Sequence, residues 1–196
     1  IDIVEYHPSY HRLMETAIAN GMHAVPWAEE RTGAHVIRAA KFMTWYGVEM
    51  GHCCPISMTS SILPAIRHQP DLAARLEPLF VSRTYDPANA PLEAKPGITA
   101  GMAMTEKQGG SDVRANSTTA RPVAGGGPGA EYELTGHKWF CSAPMSDGFL
   151  VLAQAPGGLS CFWTQRFRPD GTRNPLRIQR LKDKLGDRAN ASAEIE

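Results

Sequence analysis

What this sequence has little of already narrows what it can do. It has no net charge: lysine and arginine together number 20, as do aspartate and glutamate, so no global field draws the protein to nucleic acid or to an anionic membrane. No apolar run approaches the roughly 18 residues a spanning helix needs, and no charged-then-apolar leader is visible. Cysteine is sparse. Cys53, Cys54, Cys141 and Cys161 form no C-x-x-C pair, so reduced, buried thiols in a cytoplasmic protein are expected. The seven histidines make no metal pattern. His7 and His11 stand four apart, but Pro8 breaks the turn between them and no third ligand follows. His52 is expected at a buried helix end, and His137 as scaffold. Glu77, Asp86 and Glu93 are too scattered for paired-carboxylate chemistry.

What is present suits a globular chain. With 196 residues, 42% of them apolar, a sizeable core can form, as one large domain or two small ones. The first ninety residues read as helical. "PSYHRLMETAIANG" offers Ser9 as an N-cap and Asn20-Gly21 as a stop. "GAHVIRAAKFMTWYGVEMG" places Val36, Ala40, Met43 and Gly47 on one stripe, with Trp45-Tyr46 expected in the core. "SMTSSILPAIRHQ" is a third helix, with Pro64 expected to kink or restart it. "PDLAARLEPLF" is a fourth, capped by Asp71.

Three prolines between 84 and 97, Pro87, Pro91 and Pro96, then mark a boundary, and the apolar period shifts from helical to alternating. "ITAGMAM", "AEYELTG", "GFLVLAQA", "LSCFWTQRF", "PLRIQRL" and "ASAEIE" read as strands. The expected fold is α+β: a helical domain over 1–96, then an antiparallel, barrel-like β-domain over 97–196. The chain opens without Met and stops on a strand-like alternation, so a piece of a longer protein is expected.

The stretch "GMAMTEKQGGSDVRANSTTA" poses the functional question. A strand ends at Met104, and the chain then turns through Gly109-Gly110, where missing Cβ atoms let backbone N–H groups approach a ligand. Such a turn makes a concavity suited to a phosphate, and Thr105 and Ser111 add hydroxyls. The residues alone also allow a plain hairpin turn, with Ser111-Asp112 as local caps.

The same stretch resembles the T-E-P-x-A-G-S-D signature in the middle domain of the acyl-CoA dehydrogenases, which are FAD flavoproteins. Here Lys107 replaces the proline and Gln108-Gly109 follow it, a variant similar to the AidB branch of that family, its alkylation-response relatives. A second segment, "LTGHKWFCSAPMSD", resembles the family's G-x-K-x-W-I-T/S strand beside the flavin. Aligned on Lys138, Phe140 stands at the family's tryptophan position and Trp139 falls one place early, so Trp139 can substitute only if the strand is bulged. The resemblance covers nearly all of the chain and is densest from 97 to 192.

It implies that Met102, Ala103, Met104, Thr105, Glu106, Lys107, Gln108, Gly109, Gly110 and Ser111 line FAD. Thr105 would donate to the pyrimidine edge of the ring, and Ser111 would touch the pyrophosphate or the CoA side of the substrate. Phe140, Cys141 and Ser142 would cover the other edge, with Ser142 at flavin N5. Such donors stabilise the electron-rich reduced ring.

The implied reaction is α,β-dehydrogenation of an acyl-CoA, with hydride transfer to N5 and electrons passed on to an external acceptor. The family's catalytic glutamate comes from a C-terminal helical bundle, so no residue here is assigned as the base, and Glu106 is expected to be structural. The resemblance further implies a homotetramer and weak or absent FAD in the fragment. The alternative is an alkylation-protection flavoprotein of the AidB type with vestigial dehydrogenase activity, binding DNA through the C-terminal region. From Arg166 to Arg188, eight basic residues face three acids. Phosphate binding and a charged, solvated sheet edge both account for that excess, with the edge favoured.

Overall fold

The computed structural model describes residues 3–196. Helices come first: α1 (Pro8–Ala19), α2 (Val25–Ala28), α3 (Ala34–Tyr46), α4 (Cys53–Ile66) and α5 (Pro70–Phe80). Pro8 and Pro70 open two of them, where a missing N–H costs nothing. The caps therefore sit at His7, whose ring accepts from the Ser9 N–H at 3.2 Å, and at Gln69, rather than at Ser9 and Asp71. α4 runs straight through Pro64, which lies close enough to the helix end to forfeit only one late backbone bond.

α3 departs furthest from expectation. Arg38 Nε donates to the Met22 carbonyl at 2.7 Å, and Lys41 Nζ to the Asn20 carbonyl at 3.1 Å. The helix turns the side that carries Ala34, Arg38, Phe42 and Trp45 inward, and the stripe Val36, Ala40, Met43 and Gly47 faces outward, with Met43 76% exposed. Trp45 packs against the α1 core as expected, but Tyr46 is exposed.

Eight strands follow: β1 (Ala100–Ala103), β2 (Thr119–Pro122), β3 (Tyr132–Thr135), β4 (Lys138–Ser142), β5 (Gly148–Ala155), β6 (Gly158–Gln165), β7 (Ile178–Leu181) and β8 (Ser192–Ile195). They form one curled sheet in the order β3-β2-β5-β1-β4-β8-β7, with β6 on β5. The helical-then-β arrangement is as expected, but the sheet is mixed rather than wholly antiparallel. β4 returns along one edge of β1, the chain turns at 143–147, and β5 leaves along the other edge, parallel to β1.

Both faces of β5 are buried, so it reads as a continuous apolar run. Leu150 joins Ile62, Leu63, Leu76 and Phe80 of α4 and α5 on one side. Phe149 and Val151 join Cys141, Ile178 and Ala193 on the other. Lys95 and Asp147, both buried and 2.6 Å apart, tie the segment leaving the helices to the start of β5. Three of the cysteines are at least partly buried, but Cys161 on β6 is exposed, correcting the expectation of four buried thiols.

Candidate functional site

The two sequence segments, some thirty residues apart, become neighbours. Met102 on β1 is paired with Ser142 on β4, and the Trp139 N–H donates to the Thr105 carbonyl at 2.9 Å. The end of β1 and the length of β4 therefore make one surface.

Glu106 anchors the turn that follows β1. Its carboxylate is buried and accepts from Lys138 Nζ at 2.8 Å, from the Ser117 N–H and Oγ at 2.6 and 2.8 Å, and from the Thr118 N–H and Oγ1 at 2.9 and 2.5 Å. Burial pushes its pKa up, but the Lys138 ammonium and the Thr118 and Ser117 donors outweigh burial and hold it at about 2. Gln108 reaches Asn116 at 3.1 Å, and Asn116 donates to the Met104 carbonyl at 2.8 Å. The turn closes with the Gly109 N–H on the Glu106 carbonyl at 3.0 Å.

Gly109 has φ +120, a conformation open at little cost only to glycine. A Cβ on Gly110 would meet Thr105 Oγ1 at 2.8 Å. Among the described residues, the Thr105 and Ser111 hydroxyls make no hydrogen bond, and Ser111 is exposed. Met102 and Met104 are half-buried, and Lys107 is exposed. Glu106, Ala103 and Cys141 are buried, backbone and side chain alike, beneath this surface.

Pairing of β4 with β8 skips a residue between Lys138 and Cys141. This bulge is the irregularity that the early tryptophan required. It leaves Trp139 half-buried and Phe140 exposed, side by side in a groove of about 560 Å³ with Arg180, Lys182, Lys184 and Leu185. Lys182 Nζ sits 3.0 Å from the Trp139 ring centroid, with Lys107 and Arg180 each at 5.7 Å.

Ser142 Oγ lies 3.1 Å from Ser192 Oγ, which accepts from Lys184 Nζ at 3.0 Å. With Lys184 donating to Ser192, the Ser192 proton can serve Ser142, leaving the Ser142 proton for a ligand. Burial raises the pKa of Cys54, which lies beside Asn190 and Ser142. Sequence reasoning missed Cys54, Lys184 and Ser192 as neighbours of Ser142, because only β4–β8 pairing and the start of α4 bring them there. Lys182 and Lys184 were visible as members of the basic run alone.

Much of that run is engaged inside the chain. Arg166 is buried on the Pro144 carbonyl and Asn89; Arg180 and Lys182 both meet Glu194 at 2.7 Å; Arg188 meets Asp183 at 3.4 Å. The Arg180 and Lys182 donors hold the Glu194 carboxyl at about 2. β7, which carries Arg180, is an edge strand. No group of three or more His, Cys, Asp or Glu among the described residues could hold a metal, and no helix is long and apolar enough to cross a membrane.

A helical region followed by a curled mixed sheet, with hydroxyls and aromatics gathered where β1 meets β4, makes a two-part architecture. Family models match both parts: the adaptive response protein AidB N-terminal domain over residues 1–87, and the acyl-CoA dehydrogenase middle domain over 101–196. The chain belongs to the acyl-CoA dehydrogenase family. It is 49% identical over its whole length to AidB of Escherichia coli (strain K12), and spans about a third, 36%, of that relative. It is also similar to the structure of Caenorhabditis elegans ACDH-11 in complex with C11-CoA, at 24% identity and a TM-score of 0.79, covering all of this chain and 34% of that one. An acyl-CoA dehydrogenase from Bacillus anthracis complexed with FAD has 22% identity and a TM-score of 0.68, covering 95% of this chain and 30% of that one. These two likenesses establish the fold.

Proposed function

We propose that the chain forms the helical and middle domains, 1–96 and 97–196, of an FAD-dependent oxidoreductase that dehydrogenates an acyl-CoA at its α and β carbons. The observation that carries this is the pairing of Met102 with Ser142, which sets the Thr105 end of β1 beside Trp139, Phe140 and Ser142. The residues fit a flavin on specific points. Among the described residues Thr105 and Ser111 hold hydroxyls that make no hydrogen bond, and Gly109-Gly110 leaves bare backbone between them for a phosphate. A related fold is known with FAD and another with an acyl-CoA.

Bound flavin would supply the acceptor for the hydride leaving the substrate's β-carbon. Around it, this chain's residues bind and orient. Thr105 would donate to the pyrimidine edge, and Met102 to Ser111 would run along the ring toward the pyrophosphate. Phe140, or Trp139 across the bulge, would shield a ring face from water. Ser142 would donate at N5, its orientation set by Ser192 and Lys184. Glu106 takes no part in proton abstraction, since five donors saturate it out of reach of the surface; we assign the base to no residue here. In the longer protein the reading extends to a cytoplasmic homotetramer handing electrons to an external acceptor, with the isolated chain inactive. The second reading, DNA protection, is not favoured by the basic run, in which Arg180, Lys182 and Arg188 pair with carboxylates of the chain and Arg166 is buried on the Pro144 carbonyl and Asn89.

The test is visible absorbance of the longest expressible form, followed by anaerobic addition of acyl-CoA thioesters. A flavin band that bleaches is the expected result. A flavin band indifferent to every thioester, in a protein that holds duplex DNA, overturns it.

A further inference from the structure

We propose that Lys184 acts as a positioning residue: through Ser192 it fixes and strengthens the Ser142 hydroxyl as a donor, and so raises the reduction potential of a flavin held there. This rests on the flavin reading given above and names what tunes it.

Four segments meet at Ser142. β4 and β8 pair so that Ser142 stands opposite Ser192, and their hydroxyl oxygens are 3.1 Å apart. The Ala143 N–H, on the Ala191 carbonyl at 2.8 Å, closes the end of that pairing. Cys54, at the start of α4, lies beside Ser142. The turn over 184–190 supplies Lys184, whose Nζ donates to Ser192 Oγ at 3.0 Å and to the Asn190 carbonyl at 2.6 Å. That turn is locked in place. Asn190 is buried and bonds Asp187 through its N–H at 3.2 Å and its Nδ2 at 3.1 Å. Gly51 packs on it so closely that a Cβ there would meet Ala189 and the Asn190 nitrogen at 2.8 Å.

The direction of the chain follows from burial. Ser192 is buried, and among the described residues its hydroxyl has two partners, Lys184 and Ser142. An ammonium only donates, so Ser192 accepts from Lys184 and its single proton goes to Ser142. Ser142 then accepts, and its own proton is free for a ligand; the neighbouring Cys54 sulfur is too weak an acceptor to hold it. The charge at the head of the chain matters as much as its direction. Arg180 and Lys182 share Glu194, and Arg188 meets Asp183. Lys184 bonds two neutral oxygens and pairs with no carboxylate among the described residues. A hydrogen bond from an unneutralised cation is stronger than a neutral one, and each link polarises the next. A stronger donor at Ser142 favours the electron-rich reduced ring over the oxidised one.

The test is the two-electron reduction potential of the bound flavin, by spectroelectrochemical titration of the longest expressible form loaded with FAD. Lys184→Met should lower it by the equivalent of about tenfold in the equilibrium between oxidised and reduced forms, about 30 mV, and Lys184→Arg should restore most of the loss. Ser192→Ala should lower it by a similar amount. In that background Lys184→Met should add little, because the link is already cut. Arg188→Met, on the same turn but paired with Asp183, should leave the potential unchanged. The inference is overturned by bound flavin whose potential Ser192→Ala does not move, or by an equal shift from Arg188→Met. A Lys184→Met shift that persists undiminished without Ser192 also overturns it, since the cation then acts through space. A wild type that binds no FAD overturns the flavin reading, and this inference with it.

Discussion

Replacing Glu106 with glutamine removes the charge at the centre of the turn after β1 while keeping its shape. The wild-type carboxylate is almost fully buried and accepts from Lys138, Ser117 and Thr118. Its pKa falls from the ordinary 4.5 to about 2 in the folded state. That difference corresponds to about 3 kcal/mol of stability at neutral pH. The same order follows from leaving Lys138 buried without its partner, about 3–5 kcal/mol. The sign is set by a depressed carboxylate: the contribution is whole above the unfolded pKa of 4.5 and fades as pH falls toward 2. At pH 4 about 2.5 kcal/mol should remain, and at pH 3 about 1.5.

The assay is urea unfolding of wild type and Glu106→Gln at pH 7, 5, 4 and 3, read as the gap between them. A gap under about 1 kcal/mol at pH 7, or one that does not shrink between pH 5 and pH 3, would refute the reasoning. The double variant Glu106→Gln with Lys138→Met separates the pair from its surroundings. If the pair is the source, the second substitution should restore part of the loss, because the stranded cation is then gone.

Two further outcomes are expected. Gly101→Ala should cost about 1–3 kcal/mol by overpacking, measured as a lowered denaturation midpoint, since its Cβ would meet the Phe149 ring at 2.6 Å and the Ser142 carbonyl at 2.8 Å. Thiol labelling of the native protein should modify Cys161 first and Cys54 slowly. Cys141, whose thiol burial pushes up to about 12, and Cys53, pushed up to about 11, should react only in denaturant; early labelling of Cys141, by peptide mass mapping, would contradict the packing of β4.

Local chemistry was legible in the chain itself: prolines and glycines punctuating helices, apolar period changing after the 84–97 boundary, and two motifs crowded with hydroxyls and glycine. Those signals act over a few residues, which is the range over which sequence alone constrains a backbone. The out-of-register tryptophan was legible too, as a condition: Trp139 needed a bulge, and β4 has one.

What only the tertiary structure decided depends on strands and helices far apart in sequence. β2 lacked a strong alternation, and its pairing with β3 and β5 defines it. The chain reverses at 143–147 after β4, which is antiparallel to β1, so β5 runs parallel to β1 on the edge β4 leaves free. The outward turn of the Val36–Met43 stripe goes with a second stripe, Ala34, Phe42 and Trp45, packing on the α1 core while Arg38 and Lys41 find carbonyls at the end of α1 and just beyond it; a helix with two candidate apolar faces does not say by itself which one is buried. The setting of Ser142, with Ser192 fifty residues away, is of the same kind. Short-range preferences wrote the elements and the motifs; hydrogen bonds and packing between distant segments decided which side chains share a surface.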